Sequence, residues 1–554
     1  MAYFNRRYLF QDLLAGVTGA VAGAPQAMGF ALIAGISPVY GLYTAVVTTI
    51  VAAVIGSSTY MTVGPTNALA LVVGTTLLRY VDYPNPISIV VVITLLVGVF
   101  QFMFGVFKLG SLTRFVSNAV MTGFITGAGL LIMLGQISAV NGYHAEGTTV
   151  LGRVWDWVIH LPQSDPQTTF IGVVSIVMIA TLHHTRFKSI ATLVTIILTS
   201  FVVLTLNWDN VLLVRDISPI PSGLPIPTLP DIRLAPELLS VALALAVLGS
   251  VQSAALTQNI PEPDGSKSDM SRDLIGQGLA NVAGSFFQNM PAAGSLSRTA
   301  VNISAGARTK LANITAGVLV LMVLLFLGPM IERITEAALA GHLIVAAASL
   351  LNMKQIQMVW RVNITARLSM VITFLSTLIL PLEYSIYLGV GLSLLMYVYT
   401  SAENISIKRL VPVGDNHFRQ QPLPEKLPDG EPVVFSVSGN LYFAAVKLLE
   451  ESLPHPRGAV NPVVILRLRE NQYLGSTGIR FLSDYNRQLQ AQGGKLILAG
   501  IGDNIRAQLE RTNFLEEIGE DAVFYANDLV FGATEQALEY AKQWLAQQEK
   551  VLQI

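Results

Sequence analysis

The chain is 554 residues long, 52% hydrophobic and only 12% charged, with a formal net charge of -1 and no cysteine. A soluble domain carries about 25% charged residues, so the deficit, with a mean hydropathy of +0.56, points to a membrane protein rather than a large soluble core. The near-neutral balance leaves no global basic field to gather nucleic acid, and the lack of cysteine excludes disulfides, thiolate nucleophiles and cysteine-ligated metals.

In chain order, Arg6 and Arg7 precede an apolar run that no small-residue cleavage site closes, so it reads as a span and not a removable signal. No Asp, Glu, Lys or Arg occurs between Asp12 and Arg79, a gap long enough for roughly two to three spans. Apolar runs between charged or Pro/Gly breaks predict fourteen segments: 13–33, 38–55, 67–78, 86–107, 115–140, 168–182, 189–206, 238–259, 274–287, 296–306, 311–330, 337–351, 368–380 and 384–402. The third and tenth are too short to cross alone, and each is the third element of its own half. Paired short segments in corresponding places mark the binding site of an inverted-repeat transporter; ordinary short helices in a larger bundle are the plainer alternative. With the N-terminus inside, the inner loops hold thirteen Lys and Arg against five in the outer loops. That bias places the C-terminal domain in the cytoplasm. His183 and His184, beside Arg186 and Lys188, read as a membrane-edge cluster rather than a metal site, and no cofactor is expected.

The membrane part is expected over 1–405, a polar linker over 406–431 and an α/β domain over 432–554. In the last, β-rich runs at 433–437, 463–468, 495–498 and 522–525 alternate with helical patterns at 477–492, 504–511 and 534–548.

A charge inside a membrane segment is a functional hypothesis by default. Arg298, in Gly294-Ser295-Leu296-Ser297-Arg298-Thr299, opens the second short segment. A helix N-terminus there offers unpaired N–H groups and the positive dipole end; Arg298 adds a fixed cation, and Ser297 and Thr299 add hydroxyl donors. The alternative for Arg298 is snorkelling to an interface. The first short segment opens Gly64-Pro65-Thr66-Asn67, and two facing N-termini would aim both dipoles at one ion. Gln26 and Phe30 lie one turn apart beyond Pro25 in the first span; Gln26 can serve an anion or make an interhelical hydrogen bond. The eighth span offers Gly249, Gln252 and Ser253 but no carboxylate, and no span has Asp or Glu at its middle. A carrier coupled to a cation or proton usually needs one.

These stretches resemble the SulP family of anion transporters, in which the chain is identified as a member through Pro25-Gln26 with Phe30, Ser37 to Tyr43, Val63 to Thr66, Gln277 to Asn281 and Ser295 to Asn302. The soluble part is similar to the family's STAS domain through Val437 to Phe443 and Ser476-Thr477-Gly478. The resemblance implies a polytopic α-helical membrane protein, a 7+7 transmembrane inverted repeat with core and gate domains, plus a cytoplasmic α/β STAS domain. It implies an anion held between the third and tenth helices, with Gln26, Phe30, Ser297 and Arg298 at site positions, and a homodimer in the cell membrane. Many prokaryotic relatives are acidic where this chain has Gly249, which argues against proton or sodium coupling here. Gly475 stands where an Asp often precedes a phosphorylatable Ser, so Ser476 reads as a helix N-cap. The leading expectation is an alternating-access carrier of sulfate or bicarbonate. The alternatives are an anion channel or uncoupled uniporter, and a membrane-anchored STAS signalling protein. No motif couples a nucleophile to a base, so an enzyme is not expected.

Overall fold

The computed structural model describes residues 6–552 apart from 81–82, 111–116, 144, 148, 186–189, 218–226, 404, 415–416, 440 and 442. Arg114, Arg186 and Lys188 of the inner loops, the starts of the fifth and seventh predicted spans, and Asn440 and Tyr442 of the soluble motif lie outside the described residues. The chain forms two compact units, Met1–Leu394 and Leu395–Ile554.

The first unit is helical. Its main elements are α1 (Leu9–Ile33), α2 (Pro38–Ile55), β1 (Val63–Pro65), α3 (Asn67–Leu77), α4 (Pro86–Val106), α5 (Asn118–Gly135), α6 (Pro166–His183), α7 (Ala191–Leu206), α8 (Ala235–Asn259), α9 (Met270–Ser285), β2 (Ala292–Gly294), α10 (Leu296–Ser304), α11 (Leu311–Ile331), α12 (Glu336–Ala348), α13 (Ile364–Ile379) and the first part of α14 (Leu382–Glu403), which runs on into the second unit. Local chemistry starts several of them. Pro38 and Pro86 sit at first helical positions, where a missing N–H costs nothing, and Asp165 caps α6 by accepting from the Thr168 N–H at 2.7 Å. Among the described residues nine helices are long and apolar enough to cross a bilayer, while α3 and α10, at 11 and 9 residues, reach only about halfway. Helix α1 runs on unbroken through Pro25.

Packing exposes an internal repeat. Advance each helix label by seven, cycling through fourteen, and the main contacts map onto one another. The pair α1–α11 becomes α8–α4, α4–α9 becomes α11–α2, and α5–α13 becomes α12–α6, while α2–α9 and β1–β2 map onto themselves. Helices α1–α4 and α8–α11 therefore form a core body, and α5–α7 with α12–α14 a gate body. An apolar cluster straddles the seam between them, with Ala34, Leu69, Val72 and Leu245 from the core meeting Phe124, Leu131, Leu343, Leu382 and Ile386 from the gate.

The second unit holds a six-stranded sheet ordered β4-β3-β5-β6-β7-β8. Its strands are β3 (Ser406–Gly414), β4 (His417–Gln421), β5 (Pro432–Ser438), β6 (Val463–Arg467), β7 (Lys495–Ile501) and β8 (Val523–Tyr525). The last four run parallel and β3 and β4 antiparallel. Its helices are α15 (Phe443–Ser452), α16 (Gly475–Gln490), α17 (Asp503–Arg511), α18 (Phe514–Ile518) and α19 (Gly532–Leu552). Two expectations are corrected. The stretch 406–431 is not a bare linker, because β3 hydrogen-bonds to β5 and buries Leu410 in the sheet's core. Ser476 is not an N-cap. Helix α16 already begins at Gly475, in the left-handed region at φ +64, and Gln508 Oε1 accepts from the N–H groups of Leu474 and Gly475 at 3.2 Å.

Candidate functional site

Strands β1 and β2 set the geometry at the centre of the core body. They pair antiparallel, Val63 opposite Gly294 and Pro65 opposite Ala292, and the Ser295 N–H donates to the Thr62 carbonyl at 2.9 Å beyond the ladder. Each strand leads straight into a half-helix, so α3 and α10 leave the crossing in opposite directions with their N-termini at it. Thr66 caps α3 and Ser295 caps α10, the hydroxyls accepting from the N–H groups of Leu69 and Arg298. First-turn N–H groups and positive dipole ends from both halves thus gather at one place.

Arg298 lies in the first turn of α10 and is 5% exposed. Its Nη2 donates to the Pro65 carbonyl at 2.6 Å, and its Nε is buried with no partner. None of the ion pairs among the described residues includes it. The guanidinium rests on the Cα of Gly64, where a Cβ would come within 2.5 to 2.9 Å of Nη1, Nη2 and Cζ; any side chain at 64 must displace it. Its Cδ packs near Gly23 of α1. One turn further, Gln26 keeps a buried side-chain oxygen without a partner, and Phe30 is buried in the seam cluster.

Thr66 donates to Gln252 Oε1 on α8 at 3.3 Å, joining two of the predicted residues. Asn67 is half-buried and its side-chain oxygen accepts from the Ala68 N–H at 2.8 Å. Ser297 is exposed, its hydroxyl 3.3 Å from that of Ser295. Two hydroxyls face elsewhere. Thr299 Oγ1 accepts from the Thr62 N–H at 3.0 Å, and Ser253 Oγ accepts from the Gly294 N–H at 3.0 Å. One holds the approach to β1, the other the end of β2. Gly249 is buried against β2, and a Cβ there would lie 3.2 Å from that of Ala293 and 2.8 Å from Gln101 Nε2.

Three fully buried amides escaped the sequence reading as site residues. Asn281 accepts from the Ala292 N–H at 2.8 Å and donates to the Ala292 carbonyl at 2.9 Å and to Gln101 Oε1 at 2.8 Å. Gln277 Oε1 accepts from Ser253 Oγ at 2.5 Å and from the Gly294 N–H at 3.2 Å. Amides in the middle of apolar helices were the available signal. The buried carboxylates lie at helix ends with partners of their own. Asp12 accepts from the Arg308 and Thr309 N–H groups, Asp273 from those of Ser57 and Ser58, and Glu383 pairs with Arg79.

One face of α10 is open: Leu296, Ser297, Ala300, Ile303 and Ser304 are exposed, whereas no residue of α3 is. The two half-helices thus differ in exposure, α10 having an exposed face and α3 none.

Comparison with known proteins places this architecture. The sulfate permease family profile matches residues 9–373. The chain belongs to that family. A STAS domain matches residues 424–547. The probable sulfate transporter 4.2 of Arabidopsis thaliana is 28% identical over 547 residues, covering 94% of this chain and 80% of that one. The putative sulfate transporter YvdB of Bacillus subtilis (strain 168) is 26% identical, covering 96% and 98%. Among solved structures, the murine solute carrier 26 family member A9 anion transporter superposes with a TM-score of 0.85 at 19% identity over 98% of this chain and 92% of that one. The transmembrane domain of a cyanobacterium bicarbonate transporter, BicA, gives 0.60 at 24% identity over 70% and 99%. At these identities the structural likeness speaks for the fold. This sulfate permease family member is a polytopic anion transporter with a STAS domain, and its relatives are transporters, not enzymes.

Proposed function

We propose that this family member is a secondary transporter carrying a small inorganic oxyanion, sulfate or bicarbonate, by alternating access. The anion binds between the N-termini of α3 and α10, against Arg298, Ser297, Thr66, Asn67, Gln252, Gln26 and Phe30. Arg298 carries the reading. A guanidinium buried in a membrane body, with one carbonyl as acceptor and no carboxylate, is costly unless an anion neutralises it. Its forked donors, with two sets of helix N–H groups, match the paired oxygens of an oxyanion. The relatives named as sulfate transporters support sulfate, and bicarbonate rests on the same donors fitting its paired oxygens. The exposed face of α10 and the buried α3 fit one end state of alternating access, with the α3 end closed. The thirteen-to-five loop bias supports a cytoplasmic N-terminus and STAS domain.

The test is flux of labelled sulfate, bicarbonate and chloride into proteoliposomes. The expected result is saturable oxyanion uptake, accelerated by anion on the far side. Non-saturating electrogenic flux would instead establish the channel reading. Gly249 gives no acid to carry a coupled proton, so an imposed inward proton gradient should leave uptake non-concentrative; concentrative uptake driven by that gradient would refute this.

A further inference from the structure

We propose that Arg79 and Glu383 form a latch between core and gate that holds the α3 end of the transporter closed. Arg79 follows the C-terminus of half-helix α3 in the core; Glu383 lies in the first turn of α14 in the gate. Arg79 Nη2 is 2.5 Å from Glu383 Oε1. The pair is asymmetric. The Glu383 side chain is 2% exposed and its Oε2 is buried without a partner, while that of Arg79 is 41% exposed. Losing Arg79 would leave a dry carboxylate uncompensated, which is costly, yet water reaches the arginine side, so the pair can open. Arg79 also places its charge at the negative dipole end of the helix whose positive end faces the candidate anion site.

A second contact makes this seam specific. Tyr387, one turn after Glu383 on α14, donates to the Ser240 carbonyl of α8 at 2.5 Å. One face of α14 therefore grips the core at two points, on the half-helix α3 and on the helix that supplies Gln252. Below the grip lie the seam residues Leu382, Ile386, Leu69 and Val72, and no residue of α3 is exposed. Along α10 the described residues show no corresponding ion pair to the gate. A movement of core against gate that opened the α3 end would have to part Arg79 from Glu383.

The inference rests on the alternating-access reading, and the test separates the two. The chain has no cysteine, so an introduced thiol is its sole thiol. Ser304→Cys, on the open face of α10, reports access through labelling by an impermeant maleimide. In that parent, saturating sulfate should change the labelling rate; no change, with no sulfate binding, would sink alternating access and the latch with it. In a parent that responds, Arg79→Gln/Glu383→Gln removes the pair without stranding a charge. Labelling should fall about threefold or more as the population shifts toward opening at α3, and the exchanged pair Arg79→Glu/Glu383→Arg should restore it. Separately, Arg79→Cys/Glu383→Cys bridged by a bis-maleimide should lose flux while still binding sulfate. Unchanged labelling in the neutral pair, or undiminished flux through the bridged protein, would overturn the latch and leave alternating access standing.

Discussion

Three consecutive residues, Ser297, Arg298 and Thr299, meet different fates at the candidate site. Successive positions on a helix turn by about 100°, so one ion cannot face all three. Ser297 is exposed, Arg298 lies against Gly64 and Pro65, and Thr299 turns back to hold Thr62. Arg298→Ala should cost about 2–5 kcal/mol of anion affinity, roughly thirtyfold or more, the usual toll of removing one partner of a buried charge pair. Gly64→Ala should weaken binding less, by pushing the guanidinium off its seat. Labelled sulfate binding to monodisperse protein in detergent checks both, and parental affinity in Arg298→Ala would remove the arginine from the site. Arg298 was legible as a candidate because a cation in a short apolar segment stands out by composition alone. Its contact with Gly64 was not, since it joins residues more than two hundred positions apart.

At the scale of elements, the half-helices were readable from length, their Pro and Ser/Thr starts, and their corresponding places in the two halves. What the sequence left hidden is how their N-termini are held together. That depends on the β1–β2 pairing and on the amides behind it, which sit in α4 and α9, helices that read as plain spans. Asn281 satisfies both backbone groups of Ala292. Asn281→Ala strips three buried groups of their partner at once, the Ala292 N–H and carbonyl and Gln101 Oε1, and each unsatisfied buried group costs about 1–3 kcal/mol. The expected result is a lower melting temperature together with weaker sulfate binding, because β2 positions α10. If Asn281→Ala instead melts and binds like the parent, the strand crossing does not depend on this amide.

At the scale of the whole molecule, the repeat and the α/β domain were visible as patterns of span and strand, but the domain's near edge was not. Strands β3 and β4 lie at the open side of the sheet, where polar residues alternate with few apolar ones and mimic a linker: five of the nine β3 residues are exposed and only Leu410 is buried. A fragment beginning at Ile405 should therefore melt cooperatively with mixed α/β circular dichroism. One beginning at Pro432 should melt lower or aggregate, since it bares the edge of β5 and removes Leu410 from the core. The same division predicts what the membrane unit can do alone. Gln26, Phe30, Thr66, Asn67, Gln252, Ser297 and Arg298 all lie within Met1–Leu394. A chain ending at Glu403 should bind sulfate with the affinity of the full protein, within about twofold, because every residue proposed to hold the anion lies inside the membrane unit. Its transport rate is free to change, since rate depends on motion of core against gate. Equilibrium binding compared in the truncated and full-length proteins, both monodisperse, decides it: a loss of tenfold or more in a well-folded truncation would mean that the STAS domain shapes the anion site itself.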